Sequence, residues 1–493
     1  MSPRHPRRAR AALSTAFLAA LCAVPAAATE YHHYTGVDYS FWWDNLGAWN
    51  PRGVPGAADT AVLHAGISLG LAEGAEGGDH EVGTLNLLAP PSWLPDYALQ
   101  LRGGTLTIHD GGVWEFGGFA DFYHPGVGVV NQEGTMVLVD EQADDNGNGT
   151  LDTLDHAIDW GMTWNNTGTM RQEALRFSMG GATHYDNHGL HELTGDGSIV
   201  TGGGGGERTT NYGTLRKSGG TGESHIDSEF LNPGRVEALS GRLTVGNPLD
   251  YDGPGRTLTG GTWEVADGAE LVLNAAPLEV NQGHIHLDGT GARLYTNEAV
   301  NPMVPLEEAL RTNEGTLELN GNHSFTHPIT NTGTLLGGAT LQTDLTNAGT
   351  VAPGSSPGLL TVDGDYTQEA DGTLLMEIAD FDPFTGYDQL RVTGTATLGG
   401  TLEVTLLPPL DHTTLPDGAR FDLVVAETLL GEFATVHLPA VAGGAFDLFL
   451  ETDPSGPDTL GIRFTAVPEP VSLLLVGSAA GMILARRRTL ACA

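Results

Sequence analysis

The sequence predicts an all-β chain: a parallel β-helix (β-solenoid) with an all-β C-terminal capping region, flanked by an apolar helical segment at each terminus. Three observations predict it. An Asn-x-Gly unit followed by β-forming residues recurs along the middle of the chain. Apolar residues are 40% of the total, enough for a core, but they come in short pulses rather than helical stripes. Glycine, at 70 of 493 residues, punctuates those pulses, and only 17% of residues are charged, too few for a solvated disordered chain.

The repeat reads Asn131-Gln132-Glu133-Gly134-Thr135-Met136, then Asn166-Thr167-Gly168-Thr169-Met170 and Asn211-Tyr212-Gly213-Thr214-Leu215. It returns at Asn281, Asn313, Asn331 and Asn347, with looser copies at Asn187 and Asn232. Neighbouring copies are often about 16 to 24 residues apart, one coil of a solenoid. Asn and Gly are expected to take the left-handed backbone conformation at a sharp corner, and the Thr-Leu pair to start a strand. Stacked coils would then align the asparagines into side-chain ladders. A sandwich of ordinary hairpins is the alternative. The solenoid is preferred because the same turn chemistry repeats over more than two hundred residues.

At the N-terminus, Arg4, Arg7, Arg8 and Arg10 precede an apolar run from Ala11 to Val24, and Ala26-Ala27-Ala28 offers a cleavage site after Ala28. Residues 1–28 therefore read as a signal peptide. At the other end, Val467-Pro468-Glu469-Pro470 leads into an apolar run from Val471 to Ala485, which stops at Arg486-Arg487-Arg488. The run is shorter than the roughly 20 residues of a stable spanning helix and carries Gly477 and Gly481. Transient membrane contact is expected, with the arginines on the cytoplasmic side.

This order of Pro-Glu-Pro, apolar stretch and basic cluster resembles the PEP-CTERM sorting signal. The resemblance implies export across the inner membrane of a Gram-negative bacterium that makes extracellular polysaccharide. It also implies trimming by an exosortase-like enzyme, with the product at the cell surface or outside the cell. Pro468, Glu469, Pro470 and Arg486 to Arg488 are the sorting residues it assigns, within 466–493. A plain C-terminal membrane anchor is the rival reading. Loss of both terminal segments removes seven arginines and moves the formal charge from -39 to -46. It also removes both cysteines, Cys22 and Cys492. So acidic a chain is repelled by nucleic acid and anionic lipid and attracts divalent cations.

Between the signals, residues 29–350 are assigned to the solenoid and 351–465 to the C-terminal β region. Phe41-Trp42-Trp43, Trp49-Asn50 and Val54 to Val62 resemble the first coil of autotransporter-like and PEP-CTERM β-helix proteins. Large aromatics suit the exposed end of a solenoid. Sugar stacking on Trp42, Trp43 and Trp49 is the functional alternative. The string from Ala352-Pro353-Gly354 through Tyr387-Asp388-Gln389 to Gly399-Gly400-Thr401 is similar to the C-terminal part of autotransporter passenger β-helices. A membrane barrel after it is not expected from the residues that follow.

One candidate site stands above the scaffold, an insert at 144–155. Asp144, Asn146, Asn148, Thr150, Asp152 and Asp155 fall at positions 1, 3, 5, 7, 9 and 12 of a calcium loop, with Gly149 at the turn position. The segment resembles EF-hand and dockerin loops; a solvated Asp/Asn/Gly loop is the alternative. His184, His188 and His191 lack a carboxylate framework around them, and His284 and His286 read as exposed polar residues of one strand face. Gly354-Ser355-Ser356-Pro357-Gly358 reads as turn chemistry, not a nucleophile elbow. The expectation is an exported structural or adhesive protein of the cell surface or polysaccharide matrix, calcium-binding and not an enzyme. The alternatives are a lyase or glycoside hydrolase on a β-helix, or a non-catalytic carbohydrate-binding module.

Overall fold

The computed structural model describes residues 163–467 apart from 174, 204, 298–301, 355–356, 409 and 411–414. Before residue 163 it describes strands with a few adjoining residues, and residues 1–28 and 468–493 lie outside it. Within those limits the chain is nearly all-β and its sheets are parallel-rich. Three columns of strands recur in order. In the first, Glu30–His33 pairs with Thr60–Leu63, and parallel pairing continues strand by strand to Thr435–His437. The second column begins at Ser40–Trp42 and reaches Arg293–Thr296, then resumes at Gly321 and ends near Ala426. The third supplies the strands that enter the Asn-x-Gly corner. Pairing crosses residue 350 without a break, because Thr350–Pro353 is itself a strand of the first column.

Alternation explains which residues fill the interior. In Thr373–Ile378, Leu374, Met376 and Ile378 are fully buried while Thr373, Leu375 and Glu377 alternate outward. Burying each such aliphatic side chain contributes about 1.5–3 kcal/mol. Coils near residue 180 are filled with rings instead: Phe177 meets Trp164, Tyr185 and His191 edge-on, at centroid distances of 6.3, 5.6 and 6.1 Å. A single helical turn, Leu306–Ala309, is the one α-helix among the described residues.

The third column carries a buried asparagine ladder, as the repeat predicted. The Nδ2 of Asn166 donates to Asn187 Oδ1 (2.6 Å), Asn187 to Asn211 (2.7 Å) and Asn211 to Asn232 (2.8 Å). Past an interruption, Asn281 donates to Asn313 (2.8 Å), Asn313 to Asn331 (2.7 Å) and Asn331 to Asn347 (2.8 Å). Each amide also donates to the main-chain carbonyl of the residue after the next coil's glycine, as Asn331 does to Thr350 (2.9 Å). Leu258 occupies the ladder position in the interrupting coil, in register with Asn281. Asn187 and Asn232 are therefore full members, not loose copies. In the first copy the inward residue is Gln132, in register with Asn166; Asn131 lies outside and accepts from Asn165 (2.7 Å).

The corner differs from expectation in its physical reason. None of the glycines at 168, 189, 213, 234, 283, 315, 333 and 349 has positive φ, nor do the ladder asparagines. Glycine is required there by close approach. A Cβ on Gly333 would lie 2.1 Å from the carbonyl oxygen of Gly315, and one on Gly349 2.1 Å from that of Gly333. The same tight stacking lets Thr332 and Gly333 both donate N–H to the Asn313 carbonyl, at 2.8 and 3.0 Å.

Among the described residues, the side chain of Lys217 is fully buried. Lys217, the sole lysine of the chain, stands in register between Leu193 and Ala238. Its Nζ donates to the carbonyls of Gly195 (2.7 Å) and Gly219 (2.9 Å) and to Asp196 Oδ1 (2.9 Å). Three acceptors for three ammonium protons compensate its removal from water.

Antiparallel strands lie at both ends of the stack. Trp49–Asn50 runs antiparallel along the outer edge of Glu30–His33. At the far end, Arg420–Gly431 pairs antiparallel with Asp458–Ala466, which in turn pairs with Gly444–Glu451.

Asn331→Ala removes one ladder rung and leaves the Asn313 amide and the Thr350 carbonyl short of a partner. We expect a loss of about 2–4 kcal/mol, since each buried unsatisfied group costs about 1–3 kcal/mol. Gly333→Ala should cost at least as much, while Thr332→Ala, on the exposed corner, should change stability by less than about 0.5 kcal/mol. Native-state hydrogen exchange of residues 313–350 checks all three.

Candidate functional site

A small hairpin overlaps the expected calcium loop. Gln142–Ala143 pairs antiparallel with Asp152–Thr153, which sets Asp152, position 9 of the expected loop, opposite Ala143. Asp144, Asn146, Asn148, Thr150 and Asp155 lie outside the described residues, as does the side chain of Asp152. In chain order the hairpin falls between a first-column strand, Thr135–Val139, and a second-column strand, His156–Asp159. Among the described residues no group of three His, Cys, Asp or Glu side chains is placed to hold a metal ion.

The other expected residues divide similarly. Trp42 ends the first strand of the second column, opposite Gly70, and Trp49 lies opposite His33 on the antiparallel edge of the first. The backbone thus puts both at the start of the stack but in different sheets. Trp43 lies outside the described residues, and so do Ala28, Pro468, Glu469, Pro470, Arg486, Arg487 and Arg488. No helix among the described residues is long and apolar enough to cross a membrane.

The three neighbouring histidines are not brought together. His184 points outward, and His188 stacks on Tyr212 at the exposed corner, with centroids 4.5 Å apart. His191 is inside, bonded to Gln172 Oε1 (3.1 Å), and burial pushes its pKa down to about 3, so it is neutral. His284 and His286 do share an outward face. His286 lies between Glu264 (3.8 Å) and Glu318 (3.6 Å) in the adjoining coils.

Arginines on the outer faces are largely matched to a carboxylate one coil away. Arg208 meets Glu229 (2.9 Å), Arg242 meets Glu270 (2.6 Å), and Arg216 meets Glu237. Such exposed pairs each contribute little to stability. Their consequence is for the field. Most of the positive charge is spent on neighbours, leaving the outer surface strongly acidic.

The sequence assigned no site role to the segment 379–388, which folds over the second column. Phe384 has φ of 73°, a left-handed conformation seldom adopted by a bulky residue. Its ring lies over the Arg391 guanidinium, 5.3 Å from centroid to Cζ. The segment is tied down by the buried Asp388 carboxyl, which accepts N–H from Gly358 (2.7 Å) and from Glu377 (2.7 Å). Gly354 and Gly358 pack backbone to backbone, since a Cβ on Gly358 would come within 2.4 Å of the Gly354 Cα. That close approach, rather than any nucleophile, is why the Gly354-to-Gly358 motif is written as it is. No signal in the sequence marked Phe384, because left-handed phenylalanine is not a propensity but a consequence of packing.

No family model matches this chain, and no curated protein matches it.

Burial pushes Asp388 up to about 7, against the two amide donors, which favour its charged form. In the unfolded chain the same carboxyl titrates near about 3.9. The folded state therefore holds the proton more tightly. The group's contribution to stability is full below about pH 4 and is lost as pH rises through about 7. The fall in melting temperature between pH 5 and pH 8 should be smaller in Asp388→Asn than in the wild type, by calorimetry at matched ionic strength. For the insert, isothermal titration of the full-length chain with calcium should show one binding event that Asp144→Ala abolishes. Equal binding by the variant would remove the site.

Proposed function

We propose that the stack is a closed parallel β-helix serving as an exported structural and adhesive component of the cell surface or extracellular polysaccharide matrix. The observation that supports this best is the regularity of its outer faces. Thr316, Thr334, Thr350, Thr373, Thr401 and Thr435 stand in register along the first column. Thr312, Thr330, Thr346, Thr367 and Thr397 do the same along the third. Rows of hydroxyls about 4.8 Å apart on a rigid core suit many weak, repeated contacts with a repetitive polymer. A strongly acidic surface adds attraction for divalent cations, and the insert at 144–155 is the calcium site in this reading. An enzyme of the lyase or hydrolase type rests on fold analogy alone.

The address rests on the terminal sequences. Cleavage after Ala28 releases the chain from the export machinery. The Pro468-Glu469-Pro470 segment, held at the membrane by Arg486 to Arg488, is the handle for an exosortase-like enzyme. Mass spectrometry of the protein from its native host should find a chain that begins at Thr29 and has lost the segment ending at Ala493. An intact C-terminus overturns the sorting reading. Retention on extracellular polysaccharide without new reducing ends or unsaturated products is expected, and either product would overturn the structural role.

A further inference from the structure

The second column carries a groove of about 350 Å³ beneath the segment 379–388. That size lies at the lower end of the range for small-ligand sites, about 300–1,000 Å³. One wall is the outward row Asn322, Thr340 and Thr361, in register across three coils. Gly338 and Pro357 lie along it, and the ring of Phe384, about one third exposed, closes one side. We propose that this groove binds a neutral oligosaccharide segment of the surrounding polysaccharide. The inference rests on the matrix reading above and gives it a specific contact.

The lining chemistry selects the ligand class. A pyranose offers an apolar C–H face and a polar hydroxyl edge, and the groove offers the complement of both. Phe384 supplies the flat apolar surface, while a carboxamide and two hydroxyls, each able to donate and accept, line the opposite wall. No ionisable side chain is among the described lining residues. Arg391 follows Thr361 in the same row, and its guanidinium lies over the Phe384 ring. The chain as a whole is acidic, so an anionic uronate chain would meet a net repulsive field. The aromatic wall is also preorganised. Phe384 is held in a costly left-handed conformation, and Asp388 fastens both its segment and Gly358 at the groove floor.

The test is isothermal titration of the full-length chain with cellohexaose, maltohexaose, xylohexaose and oligogalacturonate. Two variants accompany it. Phe384→Ala removes the stacking surface. Gly338→Trp fills the groove without backbone conflict, because a Cβ at Gly338 has its nearest neighbours at 3.9 and 4.0 Å. The wild type should bind at least one neutral hexamer, and each variant should weaken that binding at least about tenfold. Circular dichroism and melting temperature should be unchanged in Gly338→Trp, which keeps the test valid if Phe384→Ala loosens its segment. Binding to no neutral hexamer, binding to oligogalacturonate alone, or variants that bind as well as wild type would each overturn the proposal. The C-terminal mass measurement is independent of it. A correctly trimmed protein whose groove binds nothing sinks the groove and leaves the sorting reading standing.

Discussion

The structure depends on one buried group, the carboxamide at the entry to each corner. Inside a dry core an asparagine side chain needs an acceptor for its N–H groups and a donor for its oxygen. The chain meets that need with the same residue one coil away and with the carbonyl after the next glycine. Both partners exist only if adjacent coils stack in strict register. The ladder therefore converts a local polar requirement into a long-range constraint on strand pairing. A one-residue slip would turn the carboxamide outward and break every bond at that rung.

The rest of the corner follows. Once coils are held at strand spacing, the residue two after the asparagine lies directly on the carbonyl oxygen of its counterpart, and only glycine has no Cβ to collide. The next residue must begin a strand with its side chain outward, which suits threonine. The outer rows of threonine are thus a by-product of the inner ladder as much as a surface in their own right. Charge is arranged by the same register. Arginine and glutamate at equivalent positions of neighbouring coils face each other, as Arg216 and Glu237 do.

How much of this was legible in the sequence depends on where each constraint originates. Asn313, Asn331 and Asn347, with the strands that follow them, were readable because the constraint repeats at a nearly fixed interval. Gln132 and Gln368 were not, since a glutamine at the ladder position breaks the spelling while keeping the chemistry. The reason for the glycines was misread because close approach between coils is tertiary, and from one coil it looks the same as a demand for left-handed backbone. The groove at Phe384 was invisible for the same kind of reason: its wall is assembled from three coils and a loop. The expected calcium loop is a different case, a local motif read from the sequence whose candidate ligand side chains fall outside the described residues.

The two glutamines also show how a ladder is ended. A stack of carboxamides always leaves an unpaired group at each terminus, and a further asparagine only moves the problem one coil on. Glutamine, one methylene longer, reaches past the rung to the main chain. Gln132 donates to the carbonyls of Gly134 (3.1 Å) and Thr169 (2.8 Å), and the coil before it has Ile108 at the equivalent position. At the other end Gln368 donates to Gly372 (3.2 Å) and Thr401 (2.9 Å), and its Oε1 accepts from the Tyr366 hydroxyl (2.5 Å). The following coil places Leu398 in that position. The polar ladder is therefore bracketed by glutamine, with aliphatic residues beyond it on both sides. At these two outer ends it is the amide N–H groups of a glutamine that main-chain carbonyls satisfy, whereas at the Leu258 interruption the ladder breaks between two asparagines, Asn232 and Asn281.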